Sequence, residues 1–276
     1  MVVVGTACSR ASAPPLARSQ SAGIAAIAAR AAAAAQVFVD DPAYPRLSPD
    51  DIHHLARVLR LRAGEEVIVS DGAGRWARTV WQGGEAGDLA AVRDEAGPGG
   101  DGAVQFEEAP SPALTVAFAP TKGERPEWVV QKLTELGIDR IVPLVSERSV
   151  VRWGPTRGRT AVERLRRVAR EAAGQCRRVW LPEVSDVVAF GDLAGLGGAG
   201  EVVLAQLSGD RLHAAQRVVA VGPEGGWSSA ELTSGLPTVG FGLSVLRAET
   251  AAVTAGALMV SLRTGTVAPV AMEESS

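Results

Sequence analysis

The sequence predicts an α/β protein in two parts, a small antiparallel β-barrel followed by an α/β domain with a largely parallel sheet. Three observations predict it. Between residues 37 and 84 short apolar runs are broken by Asp71-Gly72 and Gly83-Gly84, dipeptides suited to hairpin turns. From Leu114 onward strand-like and helix-like segments alternate. Between these regions Asp94–Pro112 is rich in Gly, Pro and acids without helical periodicity, which marks a linker near residue 110.

The barrel strands are read at Val37–Val39, Glu66–Ser70 and Arg78–Trp81, with Val104–Phe106 as one more. One helix interrupts them. Pro49-Asp50-Asp51 gives a start signal, Ile52, Leu55, Val58 and Leu59 recur at helical spacing up to Leu61, and Gly64 stops it. Arg57 and Arg60 fall on its other face. In the second part, strands are predicted at Leu114–Phe118, Ile141–Val145, Val202–Ala205 and Val218–Val221 and near Val239. Helices are predicted from Pro126 to Leu136 ending at Gly137, from Arg159 to Ala173, from Ser229, and from Glu249 to Leu262.

The length of 276 residues suits two modest cores, and 46% hydrophobic with 21% charged residues is the balance of a folded globular chain. Every apolar stretch is punctuated well before the ~18 residues a membrane-spanning helix requires, so no membrane role is expected. Cys8, Cys176, His53, His54 and His213 are too few and wrongly spaced for a metal centre, and no metal is expected. The net charge of −3 argues against indiscriminate coating of nucleic acid, yet residues 148–178 hold ten arginines against Glu163 and Glu171, a local +8. Residues 1–36 are Ala- and Ser-rich with no acid; they are read as a disordered leader or a mis-assigned start, with an organelle transit peptide as the rival. The compartment follows: cytoplasmic, or stroma or matrix if they are a transit peptide.

Three loops at strand ends are candidates for chemistry. Gly222-Pro223-Glu224-Gly225-Gly226 joins a strand to a helix whose Ser228 and Glu231 have capping-box spacing. Its glycines let backbone groups approach a ligand, although a tight turn without a ligand reads equally well. The segment from Gly240 to Thr250 is again strand-to-helix, and Glu249 and Thr250 either cap that helix or serve a ligand. Ser146–Trp153 is a polar, cationic loop feeding the Arg-rich helix. Gly195–Gly200 matches GxGxxG formally but precedes a strand, the wrong setting for a dinucleotide.

Six motifs occur in an order that resembles the RsmE family, bacterial 16S rRNA uracil-N3 methyltransferases of the SPOUT superfamily. They are Lys122-Gly123, Gln131–Gly137, Ser146–Ser149, Glu171–Gln175 with Arg178, Gly222–Gly226 and Leu246–Ala251. His54-Leu55, Arg57–Arg60 and Asp71–Gly74 extend the likeness over about residues 37–265. The resemblance implies a PUA-like RNA-binding barrel at 37–108 and a SPOUT methyltransferase domain with a C-terminal trefoil knot at 112–265; residues 266–276 are read as a disordered tail. It implies S-adenosylmethionine cradled by Leu204, Gly222, Pro223, Glu224, Gly225, Gly226, Leu243, Ser244, Leu246, Arg247 and Thr250, in a homodimer acting on 16S rRNA within the 30S subunit. Ser244 stands where a basic residue is expected, Ala248 where Thr is common, and Gly174 where an acid is common.

Methylation at N3 of uracil needs proton removal or stabilisation of the developing anion. Arg247 and Glu249 are the catalytic candidates, Arg247 positioning cofactor or uracil and Glu249 orienting Arg247 or accepting the proton through water. Arg57, Arg60, Arg148, Arg152, Arg170 and Arg178 are the candidate RNA contacts, because neutralised phosphates supply most RNA affinity. Trp153 is a candidate stacking face for a base drawn out of its stack. The alternative is a non-catalytic RNA-binding protein on the same scaffold, prompted by Ser244 and Ala248.

Overall fold

The computed structural model describes residues 27–83, 87–91, 104–151, 153 and 155–267. Residues 1–26 and 268–276, which carry most of the expected leader and tail, and Arg152 lie outside the described residues.

The first unit is a five-stranded sheet built from β1 (Ala35–Phe38), β2 (Glu66–Ser70), β3 (Arg75–Trp81), β4 (Leu89–Ala91) and β5 (Gln105–Phe106). Its order is β1-β2-β3-β4, with β5 also on β3. The sheet is not wholly antiparallel as expected: β1 pairs with β2 in parallel, because the helical segment between them carries the chain back across the sheet. That segment is split. Ser48 caps α2 (Pro49–His53) through a capping box with Asp51, and a π-helical turn, His54–Val58, replaces the single helix predicted. Leu55 alone is driven fully into the core, against Val37, Val67, Val69 and Trp81.

Structure begins before Gln36. Helix α1 covers residues 27–31, and its Arg30 is buried, donating to the carbonyl of Arg177 (3.1 Å) and the carboxylate of Glu107 (2.7 Å) while lying 5.0 Å from the Trp76 ring centre. The expectation of a leader running to residue 36 is therefore corrected for 27–36. Around Arg30 the two units are welded by Ala33, Ile68, Trp76 and Val179. The Asp71–Gly74 turn takes part: Gly72 (φ 75°) is so close to Leu181 that a Cβ would lie 2.6 Å from its Cδ1.

The second unit is a seven-stranded sheet whose paired strands are all parallel, ordered β12-β10-β11-β6-β7-β8 with β9 also on β7. Its strands are β6 (Thr115–Phe118), β7 (Arg140–Val145), β8 (Glu183–Val184), β9 (Val188–Ala189), β10 (Val202–Asp210), β11 (Val218–Val221) and β12 (Thr238–Val239). Period-two alternation sorts their side chains. Val116, Phe118, Ile141, Val203, Val219 and Val221 meet α3 (Arg125–Leu136), α4 (Pro155–Gln175) and α6 (Ala248–Thr264). Ala117, Val142, Leu144, Leu204 and Ala220 meet Trp227 and Leu193, the latter on a 3₁₀ helix (Phe190–Leu196). Helix α5 (Ser229–Leu232) is one turn. Gly256 lets α6 cross α3, since a Cβ there would sit 2.7 Å from Leu133 Cδ2.

Asp139 pins the ends of this layer together. Its carboxylate accepts from Leu114 N (2.9 Å), Arg178 (3.2 Å) and Arg263. Arg178 also donates to the carbonyls of Thr134 and Ile138. Burial pulls its guanidinium below the usual arginine range, with Asp139 opposing the shift. Arg178 is thereby corrected from an RNA contact to an internal strut.

Candidate active site

A cavity of about 420 Å3 opens at the C-terminal ends of β11 and β12 and beside β10, where open parallel sheets place their ligands. Its position follows from chain geometry. β10 pairs with β12 at Leu204–Ala205 and again at Asp210, and the irregularity between lets Ala205, Gln206 and Leu207 line one wall. Glycine is required where the backbones cross: a Cβ on Gly209 would overlap the Val239 backbone, and one on Gly240 would lie 3.0 Å from Gly209 O.

The second wall is the Gly222–Gly226 loop. Trp227 is buried behind it, donating from Nε1 to Ala205 O (2.9 Å) and packing 5.6 Å from the Phe190 ring. Ser228 and Glu231 form the predicted capping box at α5. The Glu231 carboxylate does more: it accepts from Ser228 N (2.8 Å) and from Glu147 N (2.9 Å), so it ties the cationic loop after β7 to the glycine loop. Arg148 extends over that loop, with Nη1 donating to Gly225 O (3.1 Å).

The third wall is the segment from Val239 to the start of α6. Val239, Phe241, Gly242, Ser244, Val245, Leu246, Arg247, Ala248 and Ala251 contribute to it. Among the described residues the backbone N–H groups of Phe241 through Leu246 make no hydrogen bond to protein, and all of these residues but Leu243 line the cavity. Ala248 and Ser244, the two positions that depart from the resembled pattern here, both face the cavity.

Of the expected cofactor contacts, Gly222, Pro223, Glu224, Gly226, Ser244, Leu246 and Arg247 line this space. Leu204 does not, because alternation turns it into the core; its neighbours Ala205 and Gln206 line the wall instead. Leu243 projects into solvent, Gly225 sits under Arg148, and Thr250 is exposed on α6 away from the lining.

Arg247, the N-cap residue of α6, is exposed and reaches the cavity. Glu249 does not contact it. Its side chain is 13% exposed, its Oε1 lies 3.6 Å from Arg125 Nε, and its buried Oε2 has no hydrogen-bond partner. The same Arg125 donates from Nη1 to Glu224 Oε1 at 2.8 Å. Arg125 is a residue that sequence reading missed; the only signal was a cation at the start of a predicted helix.

Among the candidate RNA contacts, Arg57, Arg60, Arg148 and Arg170 are exposed. Arg170 is held, donating to Phe38 O (2.7 Å) with its guanidinium 5.0 Å from the Phe38 ring centre, and so bridges the two units. On α4, Arg164 pairs with Glu127 and Arg166 with Asp186, whereas Arg157, Arg159 and Arg167 have no partner among the described residues. Trp153 is half-buried and packs against the core of the second unit. No cluster of three or more His, Cys, Asp or Glu lies among the described residues, and none of their helices is long and apolar enough to cross a membrane.

The chain is similar to known proteins over this whole region. A family described as RNA methyltransferase domain matches residues 107–260, and one described as RNA methyltransferase PUA domain matches residues 47–80. The Ribosomal RNA small subunit methyltransferase E of Synechocystis is 34% identical over 74% of this chain and 69% of that protein. Its namesake in Mycobacterium tuberculosis is 33% identical over 75% of this chain and 82% of that protein. A putative methyltransferase from Legionella pneumophila, solved with the bound cofactor SAM, superposes with a TM-score of 0.68 and is 26% identical, covering 81% and 96% of the two chains.

Proposed function

Because the chain belongs to the Ribosomal RNA small subunit methyltransferase E family, we propose that it transfers a methyl group from S-adenosylmethionine to N3 of a uridine in 16S rRNA. The observation that carries this reading is the cavity between the Gly222–Gly226 loop and the start of α6, with unpaired backbone donors, apolar walls and an exposed Arg247. These residues fit the cofactor: free N–H groups suit an adenine edge and a carboxylate, and the apolar lining suits the thioether chain. When bound, the cofactor supplies an electrophilic methyl group.

The chain's own residues have two tasks. Arg247 places a cation beside the uracil carbonyl oxygens, stabilising the anion that develops as N3 loses its proton. Glu249, one residue beyond the cavity-lining Ala248, accepts that proton through water. It orients no arginine on the cavity, since its described partner is Arg125.

The PUA-like unit at 37–108 and the exposed Arg57, Arg60 and Arg148, joined by Arg157, Arg159 and Arg167, form the RNA surface in this reading. Leu243 and Val245 are exposed apolar residues on the rim of the cavity, which supports a second copy of the chain packing there. The trefoil knot within 112–265, the assembled 30S subunit as substrate and a cytoplasmic location complete the proposal.

The test is methyl transfer from labelled S-adenosylmethionine to 30S subunits lacking the N3 mark, followed by nucleoside mass spectrometry. The expected product is 3-methyluridine; label on another nucleoside overturns the target base. Ser244 and Ala248 favour one rival, a non-catalytic RNA binder, because both lie on the cavity wall. Absence of any S-adenosylmethionine binding in calorimetry would support that rival.

A further inference from the structure

We infer that Arg125 is a positioning residue that holds the two ligand-facing walls of the cavity in register through one guanidinium. This rests on reading the cavity as the cofactor site. Arg125 is the first residue of α3, and its side chain is 44% exposed. From there Nη1 donates to Glu224 on the glycine loop (2.8 Å), while Nε stands 3.6 Å from Glu249 in the first turn of α6. The two acids arrive from separate strand-to-helix connections, and the rigid planar fork fixes the distance between them in a way an ammonium cannot.

The two arms differ in weight. Glu224 is 53% exposed, and an isolated pair of that kind contributes little. Glu249 is mostly covered, and Arg125 is its only charge partner among the described residues. Loss of Arg125 strands that carboxylate, which must then turn toward water and pull the start of α6 with it. Ala248 and Arg247, immediately before it, would move with that turn, and both line the cavity. The Glu224 arm acts on ligand affinity through the loop; the Glu249 arm acts on rate through Arg247 and the proton path.

The experiment combines calorimetric S-adenosylmethionine binding with single-turnover methyl transfer to 30S subunits, for the wild type, Arg125→Ala, Arg125→Lys, Glu224→Gln, Glu249→Gln and the double variants. Arg125→Ala is expected to weaken cofactor binding several-fold and slow transfer by about 10- to 100-fold, the cost of a misplaced group. Glu224→Gln reproduces only the affinity loss and Glu249→Gln only the rate loss. In cofactor affinity the Arg125→Ala, Glu224→Gln double variant is no worse than Arg125→Ala, as for residues acting as one unit, whereas the Glu249→Gln double variant adds the loss of the proton acceptor. Arg125→Lys recovers part of both. Unchanged affinity and rate in Arg125→Ala, or affinity losses that multiply in the Arg125→Ala, Glu224→Gln double variant, overturn the inference. If Arg125→Ala fails to fold, Arg125→Lys and the two glutamate variants decide between these outcomes. A wild type that binds no S-adenosylmethionine instead overturns the cavity assignment, and the inference falls with it.

Discussion

Trp227 donates its indole N–H to the carbonyl of Ala205 across 2.9 Å, joining the residue after the glycine loop to the bulged wall of β10. A cavity built from three strand-end segments needs such a tie, since each segment alone is a loop. Gly222 depends on the same indole, because a Cβ there would stand 3.0 Å from Trp227 Cε2.

Trp227→Phe removes the donor and part of the buried ring volume, leaving Ala205 O unpaired and a gap behind the loop. The lost hydrogen bond alone costs about 1 kcal/mol, which corresponds to about fivefold in cofactor affinity if it falls on the site, and the gap adds to it. Calorimetry reads it directly. Gly222→Ala is expected to lose more, because the added methyl displaces the ring that holds the wall.

The strands and helices around this site were legible because each carries its own period. Val116–Phe118 and Val219–Val221 alternate, and the apolar stripe of α4 repeats at helical spacing. The contacts that complete the site were not legible. Arg125 and Glu224 are 99 residues apart, and no local rule connects them. Likewise the Arg-rich stretch read as one cationic surface, whereas folding divides it. Arg178 is turned onto carbonyls and a carboxylate inside the molecule, Arg170 is held on the Phe38 carbonyl at the surface, and Arg157, Arg159 and Arg167 are exposed. The parallel pairing of β1 with β2 was hidden for a related reason, since strand direction depends on the path of the intervening helical segment.

Asp139 is the acceptor for two guanidinium groups and one backbone N–H. Asp139→Ala would leave Arg178 and Arg263 facing each other in a largely desolvated setting. Breaking a buried charge network from one side costs about 3–5 kcal/mol. Urea denaturation should show a lower midpoint, and Arg178→Ala should show a comparable shift if both belong to one network.

Arg30 makes a sharper test of where the folded chain begins. Its guanidinium joins Glu107, the carbonyl of Arg177 and the face of Trp76. Arg30→Ala, or a chain started at Gln36, loses all three, for which about 2 kcal/mol is expected. At this chain length that lowers the melting temperature by about 4–8 °C. A chain started at residue 27 keeps Arg30 and should melt near the full-length value. Equal melting of the 27 and 36 starts would return residues 27–35 to a dispensable leader.

The division of the arginines is open to a salt titration. Each cation that neutralises a phosphate releases counterions, so the slope of log K against log salt counts such contacts. Replacing Arg57, Arg60 and Arg148 by alanine should flatten the slope for a 16S rRNA fragment by about two to three, roughly one per lost phosphate contact. Arg178→Met is the comparison, because the Arg178 side chain is committed to Thr134, Ile138 and Asp139. It should leave the slope unchanged while lowering stability, since a thioether donates to none of the three acceptors. A flattened slope for Arg178→Met at unchanged stability would restore that residue to the RNA surface. An unchanged slope for the triple variant would move the binding face to Arg157, Arg159 and Arg167 on α4.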